Sequence, residues 1–293
     1  MTGSTAAGTL YVVATPIGNL ADLSERARAT LGAVDLVLAE DTRVTRRLLA
    51  HCGLNVPTRA LHEHNEAKQI AALLSQLRDG QNLALVCDAG TPAISDPGAR
   101  LVRAAHQAQV RVVPIPGPNA AATALSAAGF EGPFLFIGFL PERKTARRKA
   151  IEGLRDVAYT MVFYEAPHRV IKAIDDLASL LGGEREVLIA RELTKLFESI
   201  RRLPLAAAAA WLRADPNNVR GEFVLVVAGA STTARDRSVD DRVLRALLEE
   251  LPLSQSVALA ARITGERRNE LYQRALAIQR DHGDASPDHQ ESR

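Results

Sequence analysis

The sequence predicts an α/β protein of two α/β domains followed by a small helical appendage. Three observations carry this. Short continuous runs of Val, Leu and Ile alternate with amphipathic stretches from the N-terminus onward, the pattern of buried parallel strands joined by helices. The Glu131-Gly132-Pro133 break separates that series from a second set of strands. The stretch from Ser238 to Ile278 keeps only the helical period. The expected organisation is a disordered start over 1–8, an N-terminal α/β domain over 9–130, a C-terminal α/β domain over 131–232, a helix-turn-helix-like appendage over 238–280 and a disordered tail over 281–293.

In the first domain, strands are predicted at Leu10–Ala14, Leu36–Ala39, Leu83–Cys87 and Val110–Ile115. Helices are predicted around Leu23–Leu31, Thr45–Cys52, Ala67–Leu77 and Pro97–Gln107. Asp96-Pro97 has the composition of a helix start, with Asp as N-cap and Pro in the first turn. A small-residue helix follows from Asn119 to Ala128. In the second domain, strands are predicted at Phe134–Phe139, Thr160–Tyr164, Glu186–Arg191 and Phe223–Val227, in a more mixed sheet. A helix from His168 to Leu181 stops at Gly182-Gly183. Ala206–Ala210 reads as a structural Ala-rich helix. Two helices joined at Thr264-Gly265 form the appendage.

Composition narrows the function classes. The 293 residues are 47% hydrophobic but only 4% aromatic, so aliphatic side chains must fill the core. A formal charge of +2 is too small for the whole chain to act as a polyanion binder, so any nucleic-acid contact rests on local patches. The two cysteines, Cys52 and Cys87, read as core residues; no disulfide and no metal site is expected. The apolar runs are too short to span a bilayer, and no secretory signal is visible in the first residues, so no membrane role and a cytoplasmic location are expected.

Three bends placed after strands carry the strongest signal: Thr15–Leu20, Asp88–Gly98 and Pro114–Ala121. Gly and Pro set special backbone angles there, and small residues admit a ligand close to the main chain. On one sheet edge, at the carboxyl ends of parallel strands, three such bends line a single crevice. The first bend has one glycine and lacks the G-x-G-x-x-G fingerprint, and no P-loop is present, so the site is not built for a pyrophosphate.

These bends belong to an ordered series that runs from about residue 9 to 229. It includes Ala14–Leu20, Ala39-Glu40-Asp41-Thr42-Arg43, His62–Glu66, Asp88–Gly98, Pro116–Ala121, Tyr164–Arg169, Ala190–Lys195 and Gly221–Val224. The series resembles the bacterial 16S rRNA (cytidine 2′-O)-methyltransferases, in the tetrapyrrole methylase-like (class III) group of S-adenosylmethionine-dependent methyltransferases. Porphyrin-pathway relatives usually carry a glycine-rich first bend, and the Thr-Pro-Ile-Gly-Asn version points to the ribosomal branch. The alternative is a methyltransferase of the same class acting on a small molecule such as a tetrapyrrole. The resemblance implies S-adenosylmethionine bound in a cleft between the two domains, a homodimer, and 16S rRNA within the 30S subunit as partner, methylated at a decoding-centre cytidine. Carried onto this chain, the donor-binding residues are Pro16, Asp88, Ala89, Gly90, Thr91, Ile94, Ala120, Ala121, Tyr164, Glu165 and Ala166.

Methylating a ribose hydroxyl requires a proton acceptor. Glu165 and Asp41 are the first candidates. Glu40, His62, His64 and a neutral Lys195 are others. Glu40-Asp41 also reads as a strand-end cap pairing Arg43, and Arg191, Glu192 and Lys195 as an internal ion network. The histidines of His62-Glu63-His64 are two apart, unlike a helical zinc pair. For RNA, the run Glu142–Lys149 holds five basic residues against one acidic, suited to phosphate neutralisation. Arg143, Lys144, Arg147, Arg148 and Lys149 are the candidates, with His168 and Arg169 beside them. The alternative for the run is a solvated helix face.

Overall fold

A computed structural model describes residues 7–230 and 242–283, the last five by backbone alone. The expectations for residues 1–6, 231–241 and 284–293 lie outside the described residues. The chain forms two compact units. Among the described residues the first spans 7–155 and 159–228, and the second comprises 156–158, 229–230 and 242–283.

The first unit contains two five-stranded sheets. One is wholly parallel, in the order β3-β2-β4-β1-β5, from β1 (Thr9–Val13), β2 (Leu36–Ala39), β3 (Thr58–Ala60), β4 (Leu83–Val86) and β5 (Arg111–Ile115). Helices α1 (Glu25–Ala33), α2 (Thr42–His51), α3 (Glu66–Arg78) and α4 (Ala99–Gln107) connect its strands. Leu10, Leu38, Leu83 and Leu85 share one core with Leu73 and Leu77 of α3 and Leu101 of α4. Val13, Val37, Ala39, Ala84 and Val86 share another with Leu31 of α1 and Leu49 of α2. Burial on both faces is why these strands read as unbroken apolar runs. Each fully buried leucine contributes about 1.5–3 kcal/mol.

The second sheet is mixed, in the order β6-β7-β10-β8-β9. It consists of β6 (Phe134–Phe139), β7 (Thr160–Glu165), β8 (Glu186–Arg191), β9 (Ser199–Pro204) and β10 (Phe223–Val227). Only the β6–β7 pair is parallel. Helix α5 (Ala120–Ser126) follows the last strand of the first sheet and buries Ala121 and Ala124, with Ala128 just beyond it, against Val162, Leu188, Val224 and Val226 of the second. This packing couples the two sheets. Asn119 caps α5 by accepting from Ala122 N. Helices α6 (Lys144–Glu152), α7 (Val170–Leu181) and α8 (Leu205–Ala214) complete the unit.

In the second unit, α9 (242–250), α10 (Leu253–Thr264) and α11 (Arg268–Gly283) enclose Leu244, Val257, Ala260, Leu271, Ala275 and Ile278. The buried Ser256 hydroxyl is within hydrogen-bond reach of the carbonyls of Leu247, Leu251 and Pro252 at the end of α9. Gly265, at φ 79°, supplies the left-handed cap that turns α10 into α11. The last helix extends into the stretch expected as tail.

Two expectations needed correction. Edge strands β3 and β9 carry no continuous apolar run and were not predicted. Helix α4 begins at Ala99 behind a left-handed Gly98, not at Asp96-Pro97. Its N-terminus is capped from a distance: Glu66, 4% exposed, accepts from Leu101 N at 2.9 Å through Oε1. Replacing Glu66 by Ala orphans a buried amide and is expected to cost about 2 kcal/mol in urea unfolding. Glu66→Gln, which keeps an acceptor, should lose much less.

Candidate active site

The parallel sheet places β4, β1 and β5 side by side, so the three bends that follow them lie next to one another. Thr15 N donates to Gly90 O at 2.8 Å and Gly90 N donates to Thr15 O at 3.0 Å. The Thr15 hydroxyl donates to Cys87 O at 3.1 Å, and the Thr91 hydroxyl to Pro118 O at 3.1 Å. The Asp88–Gly98 bend is wound with Gly90, Ala93, Ser95 and Gly98 at φ 90°, 65°, 68° and 118°. For Ala93 and Ser95 this backbone costs on the order of 1 kcal/mol each, strain of the kind that collects at ligand sites.

The second sheet closes the other side. Tyr164, at the end of β7, accepts from Ala121 N at 3.2 Å through its hydroxyl. A bulge at Gly138 interrupts the β6–β7 register, and a Cβ there would stand 3.2 Å from Ser95 Oγ. Beyond the bulge, Phe139 packs edge-on to Tyr164 with ring centroids 5.6 Å apart. Between the sheets lies a cavity of about 430 Å³, within the usual range for small-molecule sites.

Its charge is unevenly distributed. Glu40, Asp88 and Asp96 line it from the first sheet. Burial, reinforced by Glu40, pushes Asp96 up to about 6. Burial and Asp88 raise Glu40, and burial raises Asp88. A wall of crowded carboxylates favours a cationic ligand. On the second sheet, burial also raises Glu165. Its Oε1 accepts from Ala166 N at 2.9 Å and lies 3.0 Å from Arg169 Nε, while its buried Oε2 has no partner. Lys195 is the one cationic side chain on the cavity wall among the described residues.

Of the residues expected to bind the donor, Asp88, Ala89, Gly90, Thr91, Ile94, Ala120, Tyr164, Glu165 and Ala166 surround this cavity. Ala121 is buried behind it on α5, where its amide meets Tyr164. Pro16 instead lines a separate hollow of about 280 Å³ with Leu20, Val44 and Leu48. Asp41 caps α2, accepting from Arg43 N at 2.8 Å. Hydrogen bonding to the Arg43 side chain holds it at about 2, the strand-end pairing given above as its other reading. His62 hydrogen-bonds Asn65 rather than facing the cavity, and no metal-binding group exists among the described residues. Cys52 and Cys87 are free and buried.

The basic run divides. Arg143, Lys144 and Lys149 are exposed, as is His168. Arg147 is buried, with its Nε 2.8 Å from Asp176 Oδ2, and Arg148 holds Oδ1 at 2.8 Å. Both are committed to that carboxylate, which their hydrogen bonds keep below its ordinary value against the opposing effect of burial. Arg169 is likewise turned inward, toward Glu165 and Leu140 O. Asp96, Asn119, Leu193, Lys195 and Glu222 line the cavity without having been chosen as donor-binding residues. All five lie in a bend or block already singled out, Glu222 in the Gly221–Val224 block.

Residues 9–209 match the family model for Tetrapyrrole (Corrin/Porphyrin) Methylases, and residues 236–279 match that for the RsmI C-terminal HTH domain. Ribosomal RNA small subunit methyltransferase I of Pseudomonas aeruginosa is 50% identical over 277 residues, covering 93% of this chain and 98% of that protein. The protein of the same name from Escherichia coli O157:H7 is 48% identical, covering 93% and 96%. Among solved structures, a cobalt precorrin-4 methyltransferase superposes with TM-score 0.56 at 18% identity over 74% of this chain and 94% of that one. Uroporphyrin-III C-methyl transferase from Thermus thermophilus, complexed with S-adenyl homocysteine, gives 0.54 at 18% over 75% and 97%. At such identities the structures establish a shared fold.

A carboxylate whose value is higher folded than unfolded binds its proton more tightly in the native state, so its contribution to stability falls as pH rises between the two values. For Asp96 the window runs from 3.8 to about 6. The stability of the wild type relative to Asp96→Asn, measured by urea unfolding, is therefore expected to decline across that window and to level off above it. A difference that is flat, or that rises with pH, would contradict the burial of this carboxylate.

Proposed function

The chain belongs to the tetrapyrrole (corrin/porphyrin) methylase family, and from that premise we propose that it methylates the ribose 2′-hydroxyl of a decoding-centre cytidine in 16S rRNA, with S-adenosylmethionine as donor. It is a methyltransferase. The observation that carries the rRNA reading is near-full-length identity of about half to ribosomal RNA small subunit methyltransferases I, together with the C-terminal domain match.

The cavity suits the donor. Gly90 leaves the backbone open beside Ile17, the carboxylates of Glu40, Asp88 and Asp96 supply a field for a cation, and the space is large enough for a folded nucleoside. Thr91, Ile94 and Ala120 from the first sheet and Tyr164, Glu165 and Ala166 from the second would hold it. When bound, the donor supplies a methyl group already activated on a sulfonium. The protein's task is then to align the acceptor oxygen and to receive its proton, an effect of orientation above all. Glu165 would serve the second part, and its contacts support this: Arg169 and Ala166 N hold one oxygen, and the unpartnered Oε2 would accept the proton.

Exposed Arg143, Lys144 and Lys149 would grip phosphates of the 30S subunit, with His168 at the cavity side. A homodimer would cover the edge strand β6, where Phe134 is 54% and Leu135 37% exposed. No helix among the described residues is long and apolar enough to cross a membrane, and action on ribosomal subunits places the enzyme in the cytoplasm.

Incubation with labelled donor and isolated 30S subunits should put label into 16S rRNA, recovered as 2′-O-methylcytidine. Transfer to a tetrapyrrole with none to subunits would overturn the reading. Gly90→Val forces a branched side chain into left-handed backbone and should weaken donor binding by about tenfold or more in calorimetry. Neutralising Arg143, Lys144 and Lys149 together should weaken subunit binding and flatten its salt dependence by about two to three units of slope. Donor affinity should stay unchanged.

A further inference from the structure

The turn from Arg191 to Ser199, between β8 and β9, is built with unusual care for a surface connection. Glu192 and Thr194 are both non-glycine residues in left-handed backbone, at φ 52° and 65°. Such residues persist only where their surroundings hold them. Glu192 N donates to Glu222 O at 3.0 Å, and Glu222 N donates to Glu192 Oε1 at 2.9 Å. Thr194 N donates to Glu198 Oε2 at 2.6 Å, while the buried Thr194 hydroxyl has no partner.

The product of this construction is the position of Lys195. Its Nζ lies 2.8 Å from Glu192 Oε1 and 2.8 Å from Glu222 Oε2, which leaves the third N–H of the ammonium unassigned. Its stem crosses the first bend of the other sheet: a Cβ on Gly18 would stand 2.4 Å from Lys195 Cγ and 3.0 Å from Leu193 O. Gly18 is therefore required by the close approach of the turn, Lys195 foremost and Thr194 Oγ1 and Leu193 O behind it, rather than by its own backbone angles. Burial opposes the charge, but the hydrogen bonds to Glu192 and Glu222 outweigh it and raise the ammonium above its ordinary value. Lys195 is thus held as the ammonium of an ion cluster with Glu192 and Glu222.

Its place on the wall decides what it serves. The inner floor is formed by buried Gly90 and Ile17, whereas the Lys195 and Glu222 side chains are 30% and 76% exposed. Through Glu222 the lysine reaches the open rim of the cavity, as do exposed Asp88, Ala89 and Ile94 across from it, where the carboxylates Glu40, Asp88 and Asp96 stand. We propose that Lys195 receives the RNA at the mouth of the cavity, pairing its free N–H with a backbone phosphate beside the ribose to be methylated. Glu192, Glu222, the strained turn and Gly18 hold it at that point. The inference rests on the rRNA reading above.

The test compares wild type, Lys195→Met, Lys195→Arg and Gly18→Val. Steady-state methylation of 30S subunits is measured over a range of salt, S-adenosylhomocysteine affinity by calorimetry, and melting temperature as a check on folding. Lys195→Met should raise KM for subunits about tenfold or more and reduce the slope of log KM against log salt by about 0.7–0.9. Its affinity for S-adenosylhomocysteine should stay within about twofold of wild type, since that ligand belongs to the inner floor in this account. Lys195→Arg should restore most of the loss, and Gly18→Val should reproduce it. A loss of S-adenosylhomocysteine affinity in Lys195→Met would assign the lysine to the donor and overturn the proposal. An unchanged KM, or an Arg variant as damaged as Met, would also overturn it, the latter by marking the turn as merely structural. If Lys195→Met fails to fold, the Arg and Gly18 variants decide in the same way. A wild type that methylates no subunits overturns the rRNA reading itself, and this inference with it.

Discussion

The cleft depends on a pair of backbone hydrogen bonds, from Thr15 N to Gly90 O and from Gly90 N to Thr15 O. Where parallel strands end, their last amides and carbonyls lose ladder partners, and an unpaired buried group costs about 1–3 kcal/mol. Here two neighbouring strand ends satisfy each other across the gap as an isolated antiparallel bridge. That bridge is what allows the long bend after β4 to stand away from the sheet with four left-handed residues in it. The Thr15 and Thr91 hydroxyls extend the tie to Cys87 and Pro118, so the three bends behave as one lip.

A lip on one sheet is not yet a site. The second wall is brought up by α5, whose small side chains allow the helix to lie close on the second sheet. The Tyr164 hydroxyl then reaches the Ala121 amide and fixes the gap. Charge follows the same division. Carboxylates crowd the first sheet's side and are held there partly desolvated, while the opposite wall has one ammonium, already paired with Glu192 and Glu222, and one buried carboxylate with a free oxygen.

How legible this was depended on how local the cause was. The central strands were visible because burial on both faces leaves continuous Val, Leu and Ile. Edge strands β3 (Thr-Arg-Ala), nowhere fully buried, and β9 (Ser-Ile-Arg-Arg-Leu-Pro), with two exposed arginines, gave no such signal. The bends stood out through Gly and Pro, and the cavity walls fell where those bends predicted. What stayed hidden was pairing over distance. Arg147 reads as a solvated cation until Asp176, 29 positions away, is seen to take it. The start of α4 was misplaced because its cap is Glu66, 35 positions upstream. Lys195 read as part of an ion network, which is correct, but the role of Gly18 in seating it depends on the other sheet. For Asp41 the cause is local: its partner Arg43 is two residues away, and the pairing was foreseen as an alternative.

The central claim is that both sheets contribute to one donor cleft. Hydrogen exchange with and without S-adenosylhomocysteine tests it most directly. The account predicts slowed exchange together over 15–20, 88–98 and 119–124 on the first sheet's side and 164–167 on the second's. Protection confined to one sheet, or found away from these bends, would contradict it.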